Sequence, residues 1–156
     1  MLRAIQQLGL IGFLWILFGG LVYWLHPQAK GLFSGAAAAV PVEEGEISLA
    51  DARRFTSDGV ALWIDTRPAA EYTREHVPAA HNIPADESGA LETKLFEWTR
   101  AGTLKPDTVL IIYCATSGCG TSHDLRRRLL GLNPSLRVHV LAGGWSEWKR
   151  GESAAN

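Results

Sequence analysis

Thr108-Val109-Leu110-Ile111-Ile112-Tyr113-Cys114-Ala115-Thr116-Ser117-Gly118-Cys119-Gly120-Thr121-Ser122 is the stretch that decides the fold. Its first six residues form an unbroken, β-branched run. That length and composition predict a strand buried on both faces. The next residues are small, polar and glycine-bearing. A helix is expected from Ser122 to Leu132, with arginines on one side and leucines on the other. In a sheet of such units, sites form just past the carboxyl ends of the strands. The run Thr108–Tyr113 delivers Cys114 to that edge.

The loop chemistry follows from its composition. Small residues let backbone N–H groups turn inward, and a helix N-terminus adds partial positive charge. Together they stabilise an anion, so Cys114 is expected to have a lowered pKa and thiolate character. Thiolates attack sulfane sulfur, and the resulting persulfide is an anion that the same loop can hold. On spacing alone, an inert cysteine that ends a buried strand accounts for Cys114 equally well. Cys119, in a glycine-flanked polar loop, is harder to explain as core.

Outward from this stretch, strands and helices alternate. Towards the N-terminus, Lys105-Pro106-Asp107 marks a turn, Glu87–Arg100 has helical composition and His81–Pro84 is a brief extended piece. Pro68–Arg74 reads as a short helix and Val60–Ile64 as an apolar strand after the Asp58-Gly59 turn. Ile47-Ser48 leads into a helix that opens Leu49-Ala50-Asp51, with Ser48 as its N-cap. Towards the C-terminus, Arg137–Leu141 is the last strand, and Gly143-Gly144 opens a helix carrying Trp145 and Trp148. Alternation of this kind implies an α/β fold with a mostly parallel central sheet and helices on both faces.

The chain has 156 residues, enough for one domain and a short extra segment. A net charge of −1 gives no general electrostatic case for nucleic-acid binding. Two cysteines are too few for a disulfide scaffold, and no His/Cys pair has zinc-finger spacing, so neither a metal nor another cofactor is expected. Leu8–Leu25 is uncharged and eighteen residues long. As a helix it spans roughly 27 Å, close to a bilayer core. Tyr23 and Trp24 suit the headgroup region, and His26-Pro27 ends the run. A single transmembrane helix is expected here, ahead of a cleaved signal peptide, because the run exceeds a typical signal core and the small residues Ala36–Ala39 lie well past its end. The expected organisation is an anchor over 1–30, a linker over 31–45, a domain over 46–150 and a tail over 151–156. Arg3 on one flank and Glu43, Glu44 and Glu46 beyond the other favour a cytoplasmic N-terminus and an extracytoplasmic domain, periplasmic in a bacterium.

With these residues in place, the chain resembles the rhodanese-like sulfurtransferase family over nearly all of Glu46–Arg150. The first match is Asp65-Thr66-Arg67, then Glu71-Tyr72, then His76-Val77-Pro78-Ala79-Ala80-His81-Asn82-Ile83-Pro84. These are similar to the family's Asp-x-Arg, Glu-Phe/Tyr, His-Ile-Pro-Gly-Ala and Asn-Ile-Pro series. The second is Ile112-Tyr113-Cys114, and the third Leu141-Ala142-Gly143-Gly144-Trp145 with Trp148. The resemblance implies a sulfurtransferase fold, a persulfide on Cys114 and supporting roles for Asp65 and Arg67. Asp65, Arg67, Glu71 and His76 are read as a polar network that pins loops, although Arg67 could instead hold an anionic donor. The family loop reads Cys-x-x-Gly-x-Arg-Ser. Here its arginine is missing: its place holds Cys119 counted from Cys114, and Thr121 counted back from Ser122. That absence puts thiosulfate in doubt as donor.

The expected function is sulfane-sulfur transfer through Cys114, from a small-molecule or protein donor to a thiol or other nucleophile. One alternative is a thiol–disulfide or persulfide relay, with Cys119 as a resolving thiol. Another is a non-catalytic binding module at the membrane, beside a membrane protein that the sequence does not identify. A cysteine phosphatase needs an arginine six residues after its nucleophile, where this chain has Gly120 after Cys114 and Leu125 after Cys119.

Overall fold

The computed structural model describes residues 40–84, 89–116 and 118–154. The expected anchor at Leu8–Leu25, most of the expected linker and Ser117 lie outside the described residues. Five strands make one sheet: β1 (Glu46–Ile47), β2 (Ala61–Asp65), β3 (His81–Asn82), β4 (Val109–Tyr113) and β5 (Arg137–Leu141), in the order β1-β5-β4-β2-β3. Among the described residues every pairing is parallel, where a mostly parallel sheet was expected. Among the described residues, five helices connect and flank it: α1 (Leu49–Ser57), α2 (Ala69–Arg74), α3 (Ala90–Arg100), α4 (Gly120–Leu132) and α5 (Gly144–Ser153). Among the described residues, no helix is long and apolar enough to cross a membrane.

The period-two alternation of a strand explains the two-sided core. From β2 and β4, Leu62, Ile64, Leu110 and Ile112 face one layer, where they meet Leu91 and Trp98 of α3 and Leu125 and Leu129 of α4. Trp63, Val109, Ile111 and Tyr113 face the other, against Ala52 of α1 and Trp148 of α5. All five residues of β4 have no measurable exposure, which is why an uninterrupted apolar run was needed. Each such side chain removed from water contributes about 1.5–3 kcal/mol.

Most elements fall within a few residues of their expected places. Ser48 caps α1 as expected, its Oγ accepting from the Asp51 N–H at 3.2 Å. Two differences matter. Glu46–Ile47 is not a plain lead-in to α1 but an edge strand paired with Val140 and Leu141. Helix α4 begins at Gly120 rather than Ser122. Gly118 takes a left-handed φ of +72°, which turns the chain early, and Cys119 then holds extended dihedrals as the N-cap.

Candidate active site

Cys114 follows β4 directly, at the carboxyl edge of the sheet, and is 4% exposed. Its carbonyl accepts the Trp145 N–H at 2.8 Å. The Ala115 carbonyl accepts the Ser146 N–H at 3.2 Å and the Ser146 hydroxyl at 3.0 Å. These donors belong to the first turn of α5, whose amides have no partner inside the helix. The approach depends on Gly144, which has φ +56° and where a Cβ would sit 2.6 Å from the Cys114 carbonyl oxygen. The Gly143-Gly144 pair therefore grips the start of the loop.

The adjacent strand end supplies a second set of ties. Thr66 donates to the Tyr113 carbonyl through both its N–H (2.9 Å) and its hydroxyl (3.0 Å). The same hydroxyl lies 3.2 Å from Ser122 Oγ, joining β2, β4 and the first turn of α4. Asp65 is fully buried and accepts from Arg67 Nη2 at 2.7 Å, from Arg67 Nε at 3.1 Å and from the Arg67 N–H at 2.8 Å. Arg67 also donates to the Glu75 carbonyl at 2.7 Å, lies 4.3 Å over the Trp145 ring and is 3.7 Å from Glu71. Asn82 Nδ2 donates to the carbonyls of Asp65 and Arg67. His76 is exposed, stacked on Tyr72 with its Nδ1 2.8 Å from the Tyr72 carbonyl oxygen. The network links loops, and Arg67 is already committed within it.

Both thiols line one pocket of about 320 Å³, together with Thr66, Arg67, Glu71 and Thr121. A larger cleft of about 490 Å³ lies between β1 and α1, lined by Glu46, Asp51, Arg54 and His139 among others, and contains no cysteine. Both cysteines are free. Cys114 Sγ donates to the Thr116 carbonyl at 3.2 Å, and Cys119 Sγ lies 2.9 Å from Thr121 Oγ1.

The two thiols ionise in opposite directions, and this corrects the expectation for Cys114. Burial pushes the Cys114 thiol up to about 11, and its hydrogen bond to Cys119 adds to the rise; Ser122 and the Thr116 backbone pull the other way and are outweighed. Burial also opposes ionisation of Cys119. There, however, hydrogen bonds from Cys114, Thr121 and the Thr121 and Ser122 backbone prevail and hold the thiol below its ordinary value. The physical reason is the early start of α4. It makes Cys119 the N-cap residue, with its sulfur 2.9 Å from Thr121 Oγ1.

The remaining loop residues divide by role. Ala115 lines the pocket, Gly118 supplies the turn, Gly120 and Thr121 open α4, and Ser122 is fully buried beneath the loop. Sequence reasoning missed Thr66 as a site residue. The rule that found Cys114 also points to it, since Thr66 stands just beyond the carboxyl end of the neighbouring strand.

A family model described as the rhodanese-like domain matches residues 48–151. No curated protein matches the chain. Among solved structures, a human single-domain sulfurtransferase is 25% identical, with a TM-score of 0.51 over 68% of this chain and 96% of its own. A Bacillus halodurans protein is 24% identical, with a TM-score of 0.52 over 69% of this chain and 72% of its own. An uncharacterized Saccharomyces cerevisiae protein is 20% identical, with a TM-score of 0.53 over 71% of this chain and 95% of its own. The last two likenesses concern the fold alone.

Proposed function

The chain belongs to the rhodanese-like domain family, and from that premise we propose that it transfers sulfane sulfur through a persulfide carried on Cys114. The observation that carries this reading is the placement of Cys114: at the carboxyl end of β4, gripped by α5, in a pocket shared with a second thiol. The name of the human relative, a sulfurtransferase, supports the same chemistry.

The lining of the pocket favours one class of donor. Arg67, its lining cation, is held by Asp65, by the Glu75 carbonyl and against Trp145, and Glu71 adds a carboxylate. Among the described lining residues, a dianion such as thiosulfate finds no uncommitted guanidinium. A low-molecular-weight hydropersulfide, which carries at most one charge, fits better, with a thiol as acceptor. We place the reaction at a membrane surface, outside the cytoplasm, on the strength of Leu8–Leu25 and the flanking charges.

The test is the intact mass of the full-length chain after exposure to glutathione persulfide, with fragmentation to locate any gain. The expected result is one added sulfur, resident on Cys114 and removed by excess thiol, with little or none from thiosulfate. A chain that takes no sulfur from either donor is not a sulfurtransferase of this kind.

A further inference from the structure

We propose that Cys119 is the thiol that first takes sulfur from the donor and then hands it to Cys114, making the loop a two-thiol relay. The inference rests on the sulfur-transfer reading above and adds a second residue to it. Three observations carry it. Cys119 is partly exposed, whereas Cys114 is 4% exposed and its S–H is engaged with the Thr116 carbonyl. Both line the same pocket, so sulfur can pass without leaving the site. Cys119 is the N-cap of the thirteen-residue α4, and its sulfur lies 2.9 Å from Thr121 Oγ1. Negative charge on sulfur is therefore better supported at Cys119.

The steps balance without an external oxidant. The Cys119 thiolate attacks the outer sulfur of a hydropersulfide R–S–SH. The donor S–S bond breaks, leaving Cys119–S–SH and RS⁻. The Cys114 sulfur then attacks the outer sulfur of Cys119–S–SH, and the bond to Cys119 breaks. Cys119 departs as thiolate, and the proton of Cys114 goes to RS⁻. The net change is R–S–SH plus Cys114–SH to RSH plus Cys114–S–SH. The sulfane sulfur keeps its oxidation state throughout. A more acidic thiol leaves faster, so the groups that favour the Cys119 thiolate also favour the second step. Burial then shields the Cys114 persulfide from thiols in solution.

The experiment compares the full-length wild type with Cys114→Ser, Cys119→Ser and Cys119→Ala, each given glutathione persulfide, with sulfur loading followed by mass spectrometry between pH 6.5 and pH 10. Cys114→Ser is expected to gain sulfur on Cys119 at an initial rate within about twofold of wild type, and to lose it sooner to added thiol. Both Cys119 variants are expected to load Cys114 about tenfold more slowly near neutral pH, with a deficit that shrinks as the pH rises, because Cys114 must then supply its own thiolate. A merely distorted loop would give a deficit that pH does not repair, and that result overturns the relay. So does wild-type loading in either Cys119 variant, or no loading in Cys114→Ser. Closure of a Cys114–Cys119 disulfide with release of hydrosulfide from the loaded wild type also overturns it. If the wild type itself takes no sulfur, the sulfur-transfer reading fails with it.

Discussion

Two thiols five residues apart, in one loop, have their acidities moved in opposite directions by their surroundings. Near neutral pH, iodoacetamide is expected to label Cys119 first and Cys114 slowly. The Cys114 thiol is pushed up to about 11, so it remains protonated below that pH. Its labelling should therefore climb only in the alkaline range, while Cys119 is already reactive; equal rates at pH 7.5, read by peptide mass spectrometry, would contradict the assignment. The sequence made both residues conspicuous but assigned the acidity to the wrong one. Burial and the first residue of a helix are products of tertiary packing and of the Gly118 turn, and neither is written in the spacing of the cysteines. Asp65 and Arg67 were legible as a polar pair because the family resemblance placed them together. The structure adds the magnitude at stake. Asp65 is fully buried and Arg67 is 4% exposed. Arg67→Ala leaves a buried carboxylate without its cation, and urea unfolding should show a loss of about 3–5 kcal/mol. A loss within about 0.5 kcal/mol, the range of an ordinary surface substitution, would mean that the pair is not structurally important.

Helix α5 acts on the site through its first turn rather than through a side chain that reacts. Its amides hold the Cys114 and Ala115 carbonyls, and Gly144 is the contact point. Gly144→Ala places a methyl 2.6 Å from the Cys114 carbonyl oxygen, at φ +56°. Backbone lies on both sides of that contact, so the loop itself must move. Sulfur loading from glutathione persulfide is expected to fall by about tenfold or more, as a misplacement of roughly 1 Å at a reacting centre can cost. Gly131→Ala, on α4 with open space around it, is the matching control and should load normally. Equal loading by the two variants would remove α5 from the account of the site. At this scale the sequence was informative where a pattern is local. The buried run of β4, the Ser48 cap and the Gly143-Gly144 opening all declare themselves within a few residues. Strand β1 does not, because two residues become a strand only by pairing with Val140 and Leu141, far along the chain. The start of α4 was misplaced for a related reason, since the small residues 117–121 suit a loop or a first helical turn equally well.

The chain joins this α/β domain to an apolar N-terminal segment, and the two differ in composition. The first 42 residues contain no acidic side chain, and Leu8–Leu25 contains no charge at all. The eighteen residues, if helical, span roughly 27 Å, which matches a hydrocarbon core. Tyr23, Trp24 and His26-Pro27 then fall where such a span meets the headgroups. We therefore expect the full-length chain, tagged after Asn156, to stay with membranes through a carbonate wash and to be released only by detergent. A chain lacking residues 1–39 is expected in the supernatant, because the membrane contact assigned to Leu8–Leu25 has been removed. Recovery of the uncut full-length chain in the carbonate supernatant would end the anchor proposal. A shortened soluble product would identify the segment as a cleaved signal instead, since the small residues Ala36–Ala39 could serve as its cleavage region. We propose the orientation from the flanks: Arg3 and the amino terminus on one side, Glu43, Glu44 and Glu46 beyond the other. A reporter that is active only outside the cytoplasm, fused after Asn156, should therefore be active. An intact but inactive fusion would place the two thiols in the reducing compartment, where a hydropersulfide would compete with abundant low-molecular-weight thiols for the pocket.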